Sequence, residues 1–423
     1  MNTFTEKLRL IFSDSTLRKR ILFALGALIV FRLLATIPIP GVNPARLASF
    51  FTGNQFLGLL NLFSGGGFSN LSIVMLGVSP YITSSIIMQL STIIFPKLKA
   101  LYQDEGDIGR KKFSQYSRIL TVPLALVQAF GFLTLLTRQG VIDPLTPFAL
   151  GTNLLIITAG SILIMWIGEL ITEFGVGNGT SLIIFAGIIS RLPSAISQLI
   201  FTFDPSQIPL YLAFTVFAIA IIFGVVIITE AERPIPVTYA KRVRGDKVYG
   251  GVSTYLPIRV NQAGVIPIIF ALSILLFPQM IASFLATSAN TILQSISTFV
   301  LNILNNQWFY AAAYFLLVFV FTYFYTAVTF DPDQISTNLQ KSGAFIPGVR
   351  PGQSTSEYIA KILTRLTLVG ALFLGAIAVL PLIMRSLTGI QSLALGGTAL
   401  LIVVSVVIDL IKKVDAQISA REY

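Results

Sequence analysis

The chain contains no cysteine and no histidine, and charged residues make up only 11% of its 423 positions. These absences exclude disulfides, zinc sites of the usual ligand types, and cysteine or histidine as catalytic groups. Metalloproteases and serine–histidine hydrolases are thereby excluded. If the protein were an enzyme, its catalytic groups would have to be carboxylates. The glycine-rich run Ser64 to Gly67 resembles a phosphate-binding loop but lacks the lysine and the preceding strand. We therefore predict a protein that is not an enzyme and that binds no cofactor and no metal.

Apolar residues account for 54% of the chain, and its mean hydropathy is +0.82. Such values are typical of a protein that crosses a membrane many times. We predict an all-α polytopic membrane protein with ten spans, so that both termini lie on one side. The predicted spans are about 20–37, 71–95, 117–138, 151–170, 180–200, 209–229, 260–282, 307–328, 359–384 and 393–411.

The net charge of +11 is distributed unevenly over this topology. Basic residues concentrate on the side that carries the two termini, and the positive-inside rule makes that side the cytoplasm. The exceptions are Arg32, Arg46, Arg138, Arg191 and Arg385.

The stretch from Gln55 to Pro96 joins a short apolar run to a long one through a glycine-rich break. The run 56–63 rises only about 12 Å as a helix, well below the roughly 30 Å of a hydrocarbon core. Leu71 to Phe95 is predicted to continue as one helix. Broken backbone at membrane depth is tolerated only where protein buries it or a watery cavity adjoins it. We therefore interpret the short run as a stopper, and the long helix as a wall, of a route across the membrane.

A repeat links spans that lie five apart. Gly77-Val78-Ser79-Pro80 in span two matches Gly264-Val265-Ile266-Pro267 in span seven, and both helices are predicted to run on to a Phe-Pro pair. Gly179-Thr180 in span five matches Gly397-Thr398 in span ten. Because five is odd, we predict an N-terminal half, 1–200, and a C-terminal half, 201–423, of opposite orientation. Inverted repeats of this kind place the functional path at their interface.

The repeats single out four isoleucines: Ile82, Ile184, Ile269 and Ile402. If the matching helices face one axis, these side chains form a narrow apolar waist that resists water and ions. The alternative is that they face lipid or pack between helices, as most isoleucines of such a chain do.

Two cytoplasmic connections, at about 230–259 and 330–357, are long enough to carry function. In the second, Arg350 stands between two Pro-Gly pairs that present its guanidinium to acidic partners or to RNA phosphate; capping of the loop or binding of lipid headgroups is the alternative. The basic cluster from Lys241 to Lys247 has the same two interpretations. Glu169 and Glu173 lie at the cytoplasmic end of a span, where a solvated or loop-bracing role is favoured over catalysis.

Many distinctive segments follow one another in order along the chain: Ile37-Pro38-Ile39-Pro40-Gly41, Asn61-Leu62-Phe63-Ser64-Gly65-Gly66, Gly77 to Gln89, Gly109-Arg110-Lys111-Lys112, Trp166-Ile167-Gly168-Glu169, Gly177-Asn178-Gly179, Tyr239-Ala240-Lys241-Arg242, Ser253-Thr254-Tyr255-Leu256-Pro257, Ala263-Gly264-Val265-Ile266-Pro267 and Lys341 to Gly352. In these segments the chain resembles one known family, the SecY family of protein-conducting channels.

The resemblance implies an hourglass pore, and it assigns four groups of residues. It implies a pore ring at Val78, Ile82, Ile86, Ile184, Ile188, Ile269 and Ile402. It implies a plug at about 55–70, with Phe56, Leu59, Leu60, Phe63, Ser64, Gly65, Gly66 and Gly67. It implies a lateral gate, formed by spans two and three against seven and eight, with a polar cluster of Thr83, Gln128 and Asn261. It implies contacts with the ribosome and the SecA motor at Lys241, Arg242, Arg244 and Arg350.

The implied function is passage of unfolded polypeptide across the membrane, and sideways release of apolar segments into lipid. The implied partners are the small membrane subunits SecE and SecG, the SecA ATPase, the ribosome, signal peptides with nascent chains, and membrane lipids. The implied location is the bacterial inner membrane, or a thylakoid membrane in a photosynthetic organism. A secondary transporter of small solutes is the alternative function; it would need ionisable or polar groups where this chain has isoleucines.

Overall fold

The computed structural model describes residues 14–40, 67, 70–103, 105–138, 140–190, 192–201, 208–239, 242–244, 247–249, 253–285, 290–388 and 396–419. Most of these residues are helical. The helices are α1 (Ser15–Leu34), α2 (Ser79–Ile94), α3 (Pro96–Gln103), α4 (Gly106–Arg138), α5 (Pro147–Phe174), α6 (Gly179–Ile189), α7 (Leu192–Phe201), α8 (Ile208–Glu230), α9 (Ile266–Leu285), α10 (Thr291–Asn305), α11 (Gln307–Thr329), α12 (Pro332–Lys341), α13 (Gln353–Thr388) and α14 (Gly396–Ser419). The strands are β1 (Glu232–Tyr239), β2 (Arg242–Arg244), β3 (Lys247–Tyr249), β4 (Ser253–Arg259) and β5 (Ala344–Phe345).

Several helices begin at a polar side chain that accepts hydrogen bonds from the first backbone amides. Such caps matter because the first amides of a helix have no partner within it. Asn178 accepts from the amides of Thr180 (3.1 Å) and Ser181 (3.2 Å) at the start of α6. Other side-chain caps of this kind among the described residues include Asp14, Thr146, Asn290, Asn306 and Asp331.

All ten predicted spans contain helix. Judged by length and composition over the described residues, the segments long and apolar enough to cross a bilayer are Gly106–Thr134, Pro147–Phe174, Gln307–Lys341 and Gln353–Leu380. Large apolar side chains such as Phe148 and Trp308 remain exposed on these segments, as expected of a surface that faces lipid. The fold is therefore that of a predominantly helical, multi-pass membrane protein, and the count of ten spans stays a prediction.

The second predicted span is wrong at its N-terminal end, because α2 begins at Ser79 and not at Leu71. The residues before it pair with the segment that follows α1: the amide of Ile39 donates to the oxygen of Leu71 (2.9 Å), and the amide of Ile73 donates to that of Ile37 (2.9 Å). Backbone groups that form hydrogen bonds with a neighbouring segment in this way are not available for the hydrogen bonds of a helix.

Both helices reach their Phe-Pro pair as predicted, and one further predicted span needs correction. Helix α2 ends at Ile94, just before Phe95-Pro96, and α9 continues through Pro278 as far as Leu285. Proline inside a helix removes one backbone bond, a loss that membrane helices tolerate. The predicted span 180–200 is divided, because α6 ends at Ile189 and α7 begins at Leu192.

The described chain separates into two compact units. The first comprises Met1–Ile208, Leu276–Leu304 and Val406–Tyr423, and the second comprises Pro209–Leu275 and Asn305–Ser405. In the first unit Leu71 and Met75, just before α2, pack against Leu133 of α4 and Ile157 of α5, and all four side chains are fully buried. This core holds the α2 approach segment, defined as residues 70–78, in place.

The second unit carries a small antiparallel sheet that the sequence analysis treated only as a loop. Strand β1 lies between β4 and β5, with Ile235 opposite Leu256 and Thr238 opposite Phe345. Alternate side chains of β1 point to the same face of the sheet, so that Ile235 and Val237 are buried against Ile359 of α13. The two predicted cytoplasmic loops are thus joined through one sheet and one apolar core. Strands β2 and β3 form a separate hairpin.

Candidate functional site

The α2 approach segment is fixed at both of its ends. At its start, the side-chain amide of Asn70 donates to the carbonyl oxygen of Ala35 (3.2 Å), and Ser72 pairs with Pro38. At its end, the hydroxyl of Ser161 on α5 donates to the carbonyl oxygen of Gly77 (2.9 Å), and this bond is buried. The position at which α2 begins is therefore set by its neighbours in the first unit.

Helix α2 is also tied to α4, and α4 is tied to α5. The buried hydroxyl of Ser84 donates to the carbonyl oxygen of Ser117 (2.5 Å). At the predicted cytoplasmic end, the guanidinium of Arg118 contacts the carboxylate of Glu169, with Nε and Oε1 2.5 Å apart. The ion pair of Glu169 therefore joins two helices and does not brace a loop, and the three helices form one linked group. The sequence analysis missed Ser84, Ser117 and Ser161, because serine is common in apolar helices and these three form no sequence motif.

Helix α6 approaches α5 closely through glycine. A Cβ on Gly179 would overlap the carbonyl oxygen of Gly168, and the amide of Gly179 donates to the hydroxyl of Thr172 (2.9 Å). Because only a residue without a side chain allows this approach, α5 determines where α6 lies. Helix α6 carries two of the predicted ring residues.

The predicted ring residues are almost all enclosed by protein. In the first unit Val78, Ile86, Ile184 and Ile188 are buried and Ile82 is half-buried. In the second unit Ile269 and Ile402 are buried. Other isoleucines of the chain are not enclosed in this way; Ile94, for example, has 71% of its surface exposed. The burial agrees with either of the remaining roles, a waist or helix packing, so the ring stays a prediction.

The predicted gate residues are buried polar groups. Thr83 donates to the carbonyl oxygen of Ser79 one turn earlier (3.0 Å), and Gln128 on α4 is 7% exposed. Both belong to the first unit, whereas Asn261 belongs to the second. The side-chain oxygen of Asn261 is buried and has no hydrogen-bond partner among the described residues. A buried amide oxygen without a partner costs free energy, and such a group is suited to a site that changes its contacts.

Most of the predicted plug lies outside the described residues. This applies to Phe56, Leu59, Leu60, Phe63, Ser64, Gly65 and Gly66. Gly67 is described: it is buried, and its carbonyl oxygen accepts from the amide of Ser72 (2.9 Å). The assignment of the plug stays a prediction.

The second predicted cytoplasmic connection is braced around Arg350, whose side chain is exposed. The Thr355 hydroxyl donates to the carbonyl oxygen of Arg350 itself (2.8 Å). The Ser336 hydroxyl, on α12, donates to the carbonyl oxygen of Gly352 (2.6 Å), and Ser356 donates to the carboxylate of Asp333 (2.5 Å). In the sequence, Arg350 stands out through its Pro-Gly flanks, whereas these hydroxyls do not, although all five residues from Gln353 to Glu357 are polar.

The first predicted cytoplasmic connection is described only in part. Lys241 lies outside the described residues, and for Arg242 and Arg244 the structure gives the backbone alone, with Arg244 opposite Lys247 across the β2–β3 hairpin. Within the described chain, no group of three or more histidine, cysteine, aspartate or glutamate side chains is arranged to hold a metal ion.

A sequence model of one family matches residues 72–411, more than half of the chain, and that family is SecY. The chain belongs to the SecY family. Protein translocase subunit SecY of Mycobacterium bovis is 39% identical over an alignment that covers 100% of this chain and 99% of the relative. SecY of Escherichia coli K12 is 43% identical, with coverages of 96% and 93%.

Solved SecY structures share the fold. One of them, described as a SecY protein whose plug domain stabilises the closed state of the translocation channel and maintains a membrane seal, aligns with a TM-score of 0.65 at 19% identity. The alignment covers 96% of this chain and 93% of that one. At this identity the likeness establishes the SecY fold, and the residues of the site rest on the contacts described above.

Proposed function

We propose that this chain is the channel-forming subunit of a protein translocase, through which unfolded polypeptides cross the membrane. The observation that carries the proposal is similarity over the whole chain to protein translocase subunits that are 39% and 43% identical. The chain supplies the conduit and not the energy, which comes from a partner. Solute transport finds no support in these relatives, and the buried residues of the proposed path are isoleucines and not ionisable groups.

The proposed channel consists of ten spans in two inverted halves, 1–200 and 201–423, with a pore ring where they meet. The ring comprises Val78, Ile82, Ile86, Ile184, Ile188, Ile269 and Ile402. The plug at about 55–70 closes the path at rest. A signal sequence between spans two and seven binds the open state more tightly than the closed one, and this difference in affinity opens the gate at Thr83, Gln128 and Asn261.

The proposed partners fit the cytoplasmic surface. An exposed guanidinium on a braced loop, as at Arg350, pairs with acidic side chains or with RNA phosphate. We assign this loop and the residues Lys241, Arg242 and Arg244 to the SecA motor and the ribosome. SecE and SecG complete the complex, and the proposed location is the bacterial inner membrane, or a thylakoid membrane, with both termini in the cytoplasm.

Photo-crosslinking of a stalled secretory chain tests the proposal. A photoreactive residue at Ile82 or at Ile269 is expected to form adducts with the stalled chain, because both positions line the proposed path. Phe223 on α8, with 66% of its surface exposed, is the matched control and is expected to react with lipid. Adducts of equal yield at Phe223, or none at Ile82 and Ile269, would contradict the proposal.

A further inference from the structure

The α2 approach segment rests on a glycine of α5. A Cβ on Gly160 would overlap the carbonyl oxygen of Ile73; it would lie 2.9 Å from the carbonyl carbon of Ile73 and 3.4 Å from Cα of Val74. These neighbours are backbone atoms, which cannot rotate away as a side chain can. Any residue larger than glycine at this position must therefore displace the approach segment or α5.

The second unit repeats this contact with the same atoms. A Cβ on Gly370 of α13 would lie 2.7 Å from the carbonyl oxygen of Val260, 3.6 Å from its carbonyl carbon and 3.8 Å from Cα of Asn261. Here too the contacted segment leads directly into a helix, α9, that carries a predicted ring residue.

The two contacts occupy equivalent places in the internal repeat. Ile73 stands four residues before Gly77, and Val260 stands four residues before Gly264. Gly77 (φ 54°) and Gly264 (φ 60°) both adopt the left-handed conformation that favours glycine, and α2 and α9 begin two residues later. Each of the two helices is thus preceded by a left-handed glycine and by a segment that contacts a glycine of a long helix.

We infer that Gly160 and Gly370 are positioning residues that fix the first turns of α2 and α9, and thereby hold Val78, Ile82 and Ile269 in the closed waist. We call the contacts of Gly160 with Ile73 and of Gly370 with Val260 the two glycine seats. The inference rests on the proposed function, because it assigns these seats a part in sealing the channel. It concerns where the two helices begin, and it assigns neither glycine a contact with the transported chain.

The two seats differ in tightness. In the first, Ser161 follows Gly160 and donates to the carbonyl oxygen of Gly77. In the second, Ala371 follows Gly370 and has no hydroxyl to donate, and the contact distances are longer. Replacement of Gly160 is therefore expected to have a larger effect than replacement of Gly370.

Thiol accessibility tests the position of the helix directly, and the absence of native cysteine removes any background labelling of this chain. In the full chain, assembled with its partner subunits, Val78→Cys is expected to react slowly with a membrane-impermeant methanethiosulfonate reagent, because Val78 is 0% exposed. Adding Gly160→Ala is expected to raise the rate about tenfold. Adding Gly151→Ala, on the same helix with no atom within 4 Å of its Cβ, is expected to leave the rate unchanged. Equal rates in the two backgrounds would overturn the inference.

Ion leak through the reconstituted complex tests the link to the seal. Gly160→Ala is expected to raise the resting leak about tenfold, the change that a shift of about 1.4 kcal/mol between closed and open states gives. Gly370→Ala is expected to act in the same direction and less strongly. If Ile82→Asn leaks and Gly160→Ala does not, the inference fails and the proposed function stands; if neither leaks, the proposed waist fails and the inference with it.

Ser161→Ala keeps the test decisive if Gly160→Ala does not assemble. This variant removes the bond to the carbonyl oxygen of Gly77 and adds no volume. It is expected to raise the reactivity of Val78→Cys and the leak by about fivefold, in keeping with the loss of one buried hydrogen bond. Unchanged values for both would overturn the role assigned to this seat.

Discussion

At the scale of single residues, Ile82 is the member of the proposed ring that its own unit encloses least. Val78 and Ile86 are buried, whereas Ile82 is half-buried. These two residues lie about one helical turn before and one turn after Ile82. Because Ile82 is only half-buried, a polar substitution there changes the surface of the proposed path and leaves the buried core intact. Ile82 is therefore the most informative position in the ring.

Ile82→Asn is expected to weaken the seal and to loosen selection of signal sequences. An amide in an apolar constriction attracts water and favours the hydrated, open state, because a polar group without partners costs about 1–3 kcal/mol in the closed one. Ion leak and secretion of a precursor with a defective signal are both expected to rise about tenfold. Ile94→Asn, on the exposed face of α2, is the control. Wild-type values of both quantities in Ile82→Asn would show that the waist is misassigned.

At the scale of elements, the sequence predicted where helices lie better than where they begin. Long apolar runs locate the helices, since no other backbone structure satisfies its own hydrogen bonds in lipid. The α2 approach segment has the same apolar composition as a helix, so the sequence does not distinguish the two. Its Leu71 and Ile73 instead form backbone hydrogen bonds with the segment after α1, and its backbone contacts Gly160. These are contacts between residues far apart in the chain, and the local pattern does not record them.

The β-sheet was missed for a related reason. Ile235 and Val237 form the buried face of β1, and Pro234 and Pro236 occupy exposed positions next to them. Proline lowers the strand signal because it donates no ladder bond. Arg350 was found and its bracing hydroxyls were not, because a charged residue between two Pro-Gly pairs is visible in sequence, whereas the partner of Ser336 is sixteen residues away.

The braced loop is an element whose order is expected to matter for motor-driven transport. Arg350→Glu is expected to abolish SecA-dependent transport while the chain still folds, because it reverses the charge of an exposed side chain. Ser336→Ala removes the bond to Gly352, about 1 kcal/mol, and is expected to lower the rate about fivefold.

Both variants are measured by transport of a secretory precursor into vesicles in the presence of SecA, together with the amount of assembled complex. Ser342→Ala is the matched control, because its hydroxyl bonds within the same region of the chain, to the carbonyl oxygen of Leu339 (2.9 Å), and does not reach the Arg350 loop. Normal transport by Arg350→Glu would remove Arg350 from its assigned role, and equal rates for the two serine variants would show that the brace is dispensable.

At the scale of the whole molecule, the proposed topology makes a prediction that does not depend on any side chain of the pore. An even number of crossings returns the chain to its starting side, whereas an odd number does not. Single cysteines in this cysteine-free chain report the side of each position through labelling with an impermeant maleimide. Thr16→Cys, Ser354→Cys and Ala416→Cys are expected to react from the cytoplasmic side, and Pro144→Cys from the opposite side; all four positions are exposed.

The comparison of right-side-out with inside-out vesicles decides the outcome, because each vesicle type presents one face of the membrane to the reagent. The cytoplasmic set is expected to label only in inside-out vesicles, since the charge distribution that fixes orientation places the basic loops there. Labelling of Thr16→Cys and Ala416→Cys from opposite sides would mean an odd number of crossings. Two inverted five-helix halves would then be impossible. An inverted repeat could then no longer explain why the two glycine seats are equivalent.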